Sequence, residues 1–311
     1  MRQSRNLSPQ ARCAEDASPS SDSRPQGECW DTSSMNPLKR LTYRPEVIKI
    51  ARWLGLRRLL RKGYYWWARP RNGVLRLRIA GIPLQFRVHT SEELRVLESE
   101  GGAGGEERVL DLLVSFLRPG DVVYDVGSNV GLYAVLLAKR VGARGLVIAF
   151  EPQEQNYIHL QENLELNCLE NVRSYRKALS DRGGRAKLYA SEVIGSSSLV
   201  EQQPRGAVAE MVDVSTGDDL VAAEHLPGPR VVKIDVEGHE YAVIRGLRET
   251  LSQPGCELVS CEVHPSLLPA GLTPSAVSSL LKQLGFVRFD SYPRWDETFH
   301  LAAYKGRPAP V

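Results

Sequence analysis

Between positions 74 and 90 apolar residues fall at every second place: Leu75, Leu77 and Ile79 before Gly81, then Ile82, Leu84, Phe86 and Val88 after it. A period of two on both arms predicts a hairpin. From Val109 onward helical spacing alternates with short apolar runs. Helices are predicted over Val109–Leu117, Leu132–Val141, Glu154–Asn167, Tyr241–Leu251 and Pro274–Leu284, the first stopped by Pro119-Gly120. Strands are predicted over Val122–Val126, Gly145–Phe150, Val172–Arg176, Val231–Ile234 and Glu257–Val263. Arg185–Tyr189 and Glu210–Val214 read as an inserted hairpin of shorter strands, and Val287–Asp290 and Thr298–Tyr304 as two last strands joined by a short link. The alternation predicts an α/β fold, with helices on both faces of a mostly parallel sheet. The short last link predicts one antiparallel end strand, because a parallel return needs a longer crossover.

Residues 1–36 are rich in Ser, Pro, Asp, Arg and Gln without a hydrophobic period, and are expected to be disordered. Met35 is a candidate for the native start. Residues 37–73 form a basic amphipathic helical segment. Within 45–69, Ile48, Trp53, Leu56, Leu59 and Leu60 lie near helical spacing, Arg52, Arg57, Arg58, Arg61 and Lys62 are interleaved, and Tyr64-Tyr65-Trp66-Trp67 follow. It reads either as a cap packed on the domain with solvated arginines, or as a peripheral membrane contact or polyanion-binding helix. Residues 74–108 hold the hairpin and a polar connection, Glu92–Glu107, expected to be a flexible loop or lid. Its run Gly101-Gly102-Ala103-Gly104-Gly105 lacks a preceding strand and a following Lys-Ser/Thr, so it is no phosphate loop. Residues 109–306 form the main α/β domain.

Composition narrows the classes. Hydrophobic residues make up 42% and charged ones 25%, as in a soluble globular protein. A net charge of +3 does not argue for nucleic acid. The five cysteines include no Cys-x-x-Cys pair, which predicts reduced thiols in a cytoplasmic protein. No apolar run approaches the roughly 18 residues of a membrane span, and residues 1–35 lack the apolar core of a secretory signal.

Four strand ends carry chemistry. Asp125-Val126-Gly127-Ser128-Asn129-Val130-Gly131 follows a strand and opens a helix, where open parallel sheets bind ligands. Gly127 permits a tight turn and Gly131 close helix packing. Asp125 is placed to meet a cationic ligand group. The spacing departs from the Gly-x-Gly-x-x-Gly of dinucleotide sites, although a nicotinamide-dependent oxidoreductase stays an alternative. Phe150-Glu151-Pro152 ends the next strand, roughly 20 residues further on, where an acid can accept ribose hydroxyls. Lys233-Ile234-Asp235-Val236-Glu237-Gly238-His239 can take a proton or orient a hydroxyl, or simply cap a helix start. Cys261-Glu262-Val263-His264 places Glu262 and His264 on one face, with His264 a candidate base. A metal set of His239, His264, Glu237 and Asp235 has no helical His pair or Cys cluster behind it, and no metal is expected.

These motifs, together with Lys177-Ala178-Leu179-Ser180, resemble the FkbM family of methyltransferases from about Leu75 to the last strands. The resemblance implies a seven-stranded class I methyltransferase (Rossmann-like) fold. It also implies S-adenosyl-L-methionine as cofactor, and methylation of a hydroxyl on a sugar, glycan or secondary metabolite; no nucleic-acid partner is expected. It places Asp125, Gly127, Asn129 and Gly131 around the cofactor's methionine part, Glu151 at the ribose, Ala178 and Leu179 at the adenine, and Asp235 and Glu237 near the methyl group and acceptor; Ser128 and Pro152 are counted with the cofactor-binding residues. The candidate catalytic groups are Asp235, Glu237 and His264. Two positions depart from the family: Ser128 replaces a frequent alanine, and Gly217 stands where a leucine usually precedes the aspartate, which leaves open whether Asp218 or Asp219 faces the pocket.

Overall fold

The computed structural model describes residues 72–100, 107–190, 197–199, 208–294 and 297–306, with Gly63 and Pro70. The expectations for residues 1–36, for the basic helix at 45–69 and for the glycine run at 101–105 lie outside the described residues.

The hairpin forms as the alternation requires, β1 (Val74–Ile79) pairing β2 (Ile82–Arg87) from Val74↔Arg87 to Ile79↔Ile82. After it come α1 (Ser91–Glu100), α2 (Glu107–Phe116), β3 (Val122–Val126), α3 (Leu132–Val141), β4 (Leu146–Phe150), α4 (Glu154–Leu166) and β5 (Val172–Tyr175). An insert follows: β6 (Ala178–Ser180), β7 (Gly184–Ala190), β8 (Ser197–Ser198) and β9 (Val208–Thr216). Then come α5 (Gly217–Ala223), β10 (Val231–Ile234), α6 (Glu240–Gly246), α7 (Arg248–Ser252), β11 (Leu258–Val263), α8 (Pro274–Gln283), β12 (Arg288–Pro293) and β13 (Phe299–Tyr304).

The main sheet has seven strands in the order β12-β13-β11-β10-β3-β4-β5. Its one antiparallel strand is the last in the chain, β13, which lies between β11 and β12 and pairs antiparallel with both. The central strands are apolar throughout because both faces are covered. Val123, Val147, Val231 and Leu258 pack into a core with α2, α3, α4 and the hairpin. Tyr124, Val126, Ile148, Val232 and Val259 face the opposite core, built with α5 to α8. The insert forms its own small sheet, β6-β9-β7-β8, in which β7 and β9 pair antiparallel as expected.

Two asparagines one helical turn apart on α4 clasp the free edge of β2. Asn167 accepts from the Gln85 N–H and donates to its carbonyl, and Asn163 accepts from the Arg87 N–H at 2.8 Å. Asn163 also donates to the Val130 carbonyl at 2.8 Å, which ties the hairpin to the Asp125–Gly131 turn. Asn163→Ala strips buried backbone groups of partners and should cost about 1–3 kcal/mol. Urea denaturation measures this; an unchanged midpoint would show that the clasp contributes nothing.

Three readings need correction, and one strand had not been predicted. The expected lid after the hairpin begins as helix α1, with Leu94, Val96 and Leu97 buried. Its acidic character hid this, since buried Glu93 is paired with His159 on α4 at 2.9 Å. The helix expected over Tyr241–Leu251 is two helices, separated at Leu247 (φ −109°, ψ 15°). Ala178–Ser180 is a strand. Cys168 is disulfide-bonded, whereas Cys256 and Cys261 are free and buried; pairing depends on proximity in space, which cysteine spacing does not reveal. No helix among the described residues is long and apolar enough to cross a membrane.

Candidate active site

From β3 the chain builds outward through β4 and β5, then returns to β10 on the other side of β3. Ligands bind where strand order reverses in this way, at the carboxyl ends. The Gly127 turn and the Asp235–Glu237 segment meet there. The turn is held from both flanks: Gly127 and Ser128 donate to the Phe150 carbonyl, Asp235 N–H to the Val126 carbonyl, and Lys233 Nζ to the Gly127 carbonyl, each at 3.0 Å. A side chain on Gly127 (φ +79°) would place Cβ 1.8 Å from the Asp235 carbonyl oxygen. Glycine is therefore demanded by the neighbouring strand end. Gly131 (φ +95°) lets α3 approach α4, a Cβ there falling 2.6 Å from Leu160 Cδ1.

An open cleft lies over this junction. Gly127, Asn129, Glu151, Asp235 and Glu237 give it polar walls, while Pro152, Ala178 and Leu179 also line it. Leu188 and Leu199 reach it from the insert. Asn156, Lys177 and His239 line it too, without having been singled out as cofactor residues from the sequence. Asp125, Ser128, Gly131 and His264 do not line it. Asp125 is fully buried, with Lys233 Nζ 3.3 Å from Oδ1. Ser128 Oγ turns inward to the Asp125 carbonyl at 2.8 Å.

Glu151 is 4% exposed. It accepts from Asn129 N–H at 2.8 Å and from Gln153 N–H at 2.9 Å. Burial pushes its pKa up to about 7, against the pull of these donors, Asn156 and Lys233. With Asn156 as a third donor, the carboxylate keeps lone-pair capacity for a ligand hydroxyl.

The other end of the cleft gathers charge. Burial alone would raise the Asp235 pKa, but Lys233, 3.7 Å from Oδ2, outweighs it with help from His264, His300 and Arg294, so the carboxyl is held below its ordinary value. Glu237 adopts a left-handed backbone (φ +50°), uncommon for a residue with a side chain. Its carbonyl accepts from Ser198 Oγ of the insert at 2.6 Å. Behind it, His264 Nδ1 lies 2.7 Å from Glu240 Oε1, and Nε2 lies 3.6 Å from both Glu237 Oε2 and Glu262 Oε1. Burial opposes charge on this ring, yet the Glu240 hydrogen bond, with Glu237 and Asp235, pushes its pKa up to about 10. The carboxylates that hold this ring thus favour its protonated form. His300 is driven by burial down to about 3 and is neutral. Arg294 pairs with Glu262.

Although no metal site was expected, ligand atoms of Asp235, Glu237 and His264 lie within 4.8 Å of one another. His239 instead faces Ser180 Oγ at 2.9 Å. Arg294 and His300 escaped sequence reasoning, and Glu240, next to His239 in its motif, was assigned no role; His300 stands opposite Glu262 only through the β11–β13 register. Neither Asp218 nor Asp219 lines the cleft. Asp218 accepts from the N–H groups of Glu249 and Thr250 at the start of α7, and Leu247 fills the space beside Gly217.

Residues 125–288 match the family model described as Methyltransferase FkbM domain. The sequence is 30% identical over 222 residues to the hexuronic acid methyltransferase AglP of Haloferax volcanii, covering 70% of this chain and 85% of that protein. It is also 30% identical over 177 residues to the 31-O-demethyl-FK506 methyltransferase FkbM of Streptomyces tacrolimicus, covering 48% and 67%. A crystal structure of a methyltransferase FkbM from Methylobacillus flagellatus KT aligns at 16% identity with a TM-score of 0.45, over 60% of this chain and 44% of that one.

Proposed function

The chain belongs to the FkbM family of S-adenosylmethionine-dependent methyltransferases, and from that premise we propose that it methylates an oxygen of a sugar, glycan or secondary metabolite, a hydroxyl first among them. The relatives' names support an oxygen acceptor, one a hexuronic acid and the other a 31-O position. Family membership disfavours the nicotinamide-dependent alternative. The observation that carries the proposal is the meeting of two carboxylates, Asp235 and Glu237, with the Gly127 turn and Glu151 in one cleft.

The residues fit the cofactor. Glu151 is a buried carboxylate with lone-pair capacity left for a ribose hydroxyl. Ala178, Leu179 and Leu188 offer an apolar wall for the adenine. Asp235 and Glu237 supply negative charge for a cationic sulfonium. When bound, S-adenosylmethionine supplies an electrophilic methyl group. The chain's own part is to hold the acceptor in line, the source of most of the acceleration in a two-substrate transfer. Asp235, kept ionised by Lys233, accepts the hydroxyl's hydrogen bond and then its proton as the oxygen attacks. His264 lies between Glu237 and Glu240 and positions both.

Glu151 makes cofactor binding depend on pH. Ribose hydroxyls donate to a carboxylate, so binding selects the ionised form. Affinity for S-adenosylhomocysteine should be full above about pH 7 and fall as pH drops below it, by roughly tenfold per unit at the limit. Calorimetric titration on both sides of that value checks this; no binding at any pH would end the methyltransferase reading.

A further inference from the structure

We propose that Asp235, Glu237 and His264 bind a divalent cation, manganese or magnesium in kind, that holds the acceptor's oxygens beside the transferred methyl group. The inference rests on the methyltransferase reading and extends it to how the acceptor is gripped.

Three observations carry it. Ligand atoms of the three residues lie within 4.8 Å of one another, close enough for one ion to reach all three. One imidazole nitrogen with two carboxylates is a hard, mixed donor set of the kind such ions take. Second, His264 is built as a metal-ligating histidine is built. A buried carboxylate, Glu240 Oε1, holds Nδ1 at 2.7 Å, fixes the ring and turns Nε2 toward Glu237. Nε2 stands 3.6 Å from Glu237 Oε2, longer than a hydrogen bond. Third, Asp235 and Glu237 line the cleft, so an ion they hold would face a bound acceptor. Binding releases the Nε2 proton of the ring, whose place the ion takes. The ion would hold the acceptor's oxygens against the enzyme and stabilise the negative charge that develops on the attacking oxygen.

The test uses the full chain, stripped with a chelator and titrated with manganese chloride, while the free-ion electron paramagnetic resonance signal is followed. Uptake of one ion per chain is expected, weakened about tenfold or more by Glu237→Gln and about 10–100-fold by Glu240→Gln, a position that holds the histidine and the Gly238 N–H behind the ligands. S-adenosylhomocysteine binding by each variant confirms that it is folded. No uptake by a chain that still binds S-adenosylhomocysteine overturns the cation and leaves the methyltransferase reading standing. Uptake that Glu237→Gln does not weaken places the ion elsewhere and overturns the site.

Discussion

Gly127→Ala should lower affinity for S-adenosylhomocysteine by about 30-fold or more, the equivalent of about 2 kcal/mol or above. Two costs combine. At φ +79° the backbone is left-handed, which costs an L-residue roughly 1–2 kcal/mol. The new Cβ would also lie 1.8 Å from the Asp235 carbonyl oxygen and 2.9 Å from its carbon. Neither is the end of a flexible side chain, so β3 and β10 must part at the point where they shape the cleft. Overpacking of this kind costs a further 1–3 kcal/mol or so. Gly81 separates the two terms: it has the same φ of +79°, and a Cβ there would meet nothing within 4 Å. Gly81→Ala should therefore lose about 1–2 kcal/mol of stability and bind S-adenosylhomocysteine normally. Equal effects of the two substitutions on binding would contradict the close approach at Gly127.

Asp235→Asn should reduce kcat by about 10²–10⁴-fold, the range expected when a positioned proton acceptor is lost. Affinity for S-adenosylhomocysteine should change little. The amide keeps the shape of the side chain but cannot take a proton. Lys233 keeps its contacts with Asp125 at 3.3 Å and the Gly127 carbonyl at 3.0 Å, so the turn stays in place. Single-turnover rates and calorimetry separate chemistry from binding. Unchanged turnover would move the proton to Glu237.

The central fold was legible because its strands are covered on both faces. β3, α3 and β10 end where the hydrophobic pattern puts them, since doubly buried strands read as continuous apolar runs. α1 was not, because acidic residues surround its apolar positions and Glu93 is buried against a histidine from a different helix. One side of the candidate site was legible as a grouping, for a local reason. Gly127, Asn129, Glu151 and Pro152 sit at the ends of adjacent strands, and all four line the cleft. The other side depends on long-range pairing. The charge of His264 is set by Glu240, and Arg294 and His300 meet Glu262 only after β13 has inserted beside β11. A lone histidine on a strand end carries no sign of this.

The central claim is that this cleft moves a methyl group from S-adenosylmethionine to an oxygen of a sugar-like acceptor. The direct measurement incubates the full chain with S-adenosylmethionine carrying a deuterated methyl group and with glycosides of a hexuronic acid and of its neutral hexose. Mass spectrometry then follows both the acceptor and S-adenosylhomocysteine. The predicted result is label on an acceptor oxygen, matched one for one by S-adenosylhomocysteine and greatly diminished by Asp235→Asn. Label that appears on nitrogen or carbon, or at the same rate with Asp235→Asn, would contradict it.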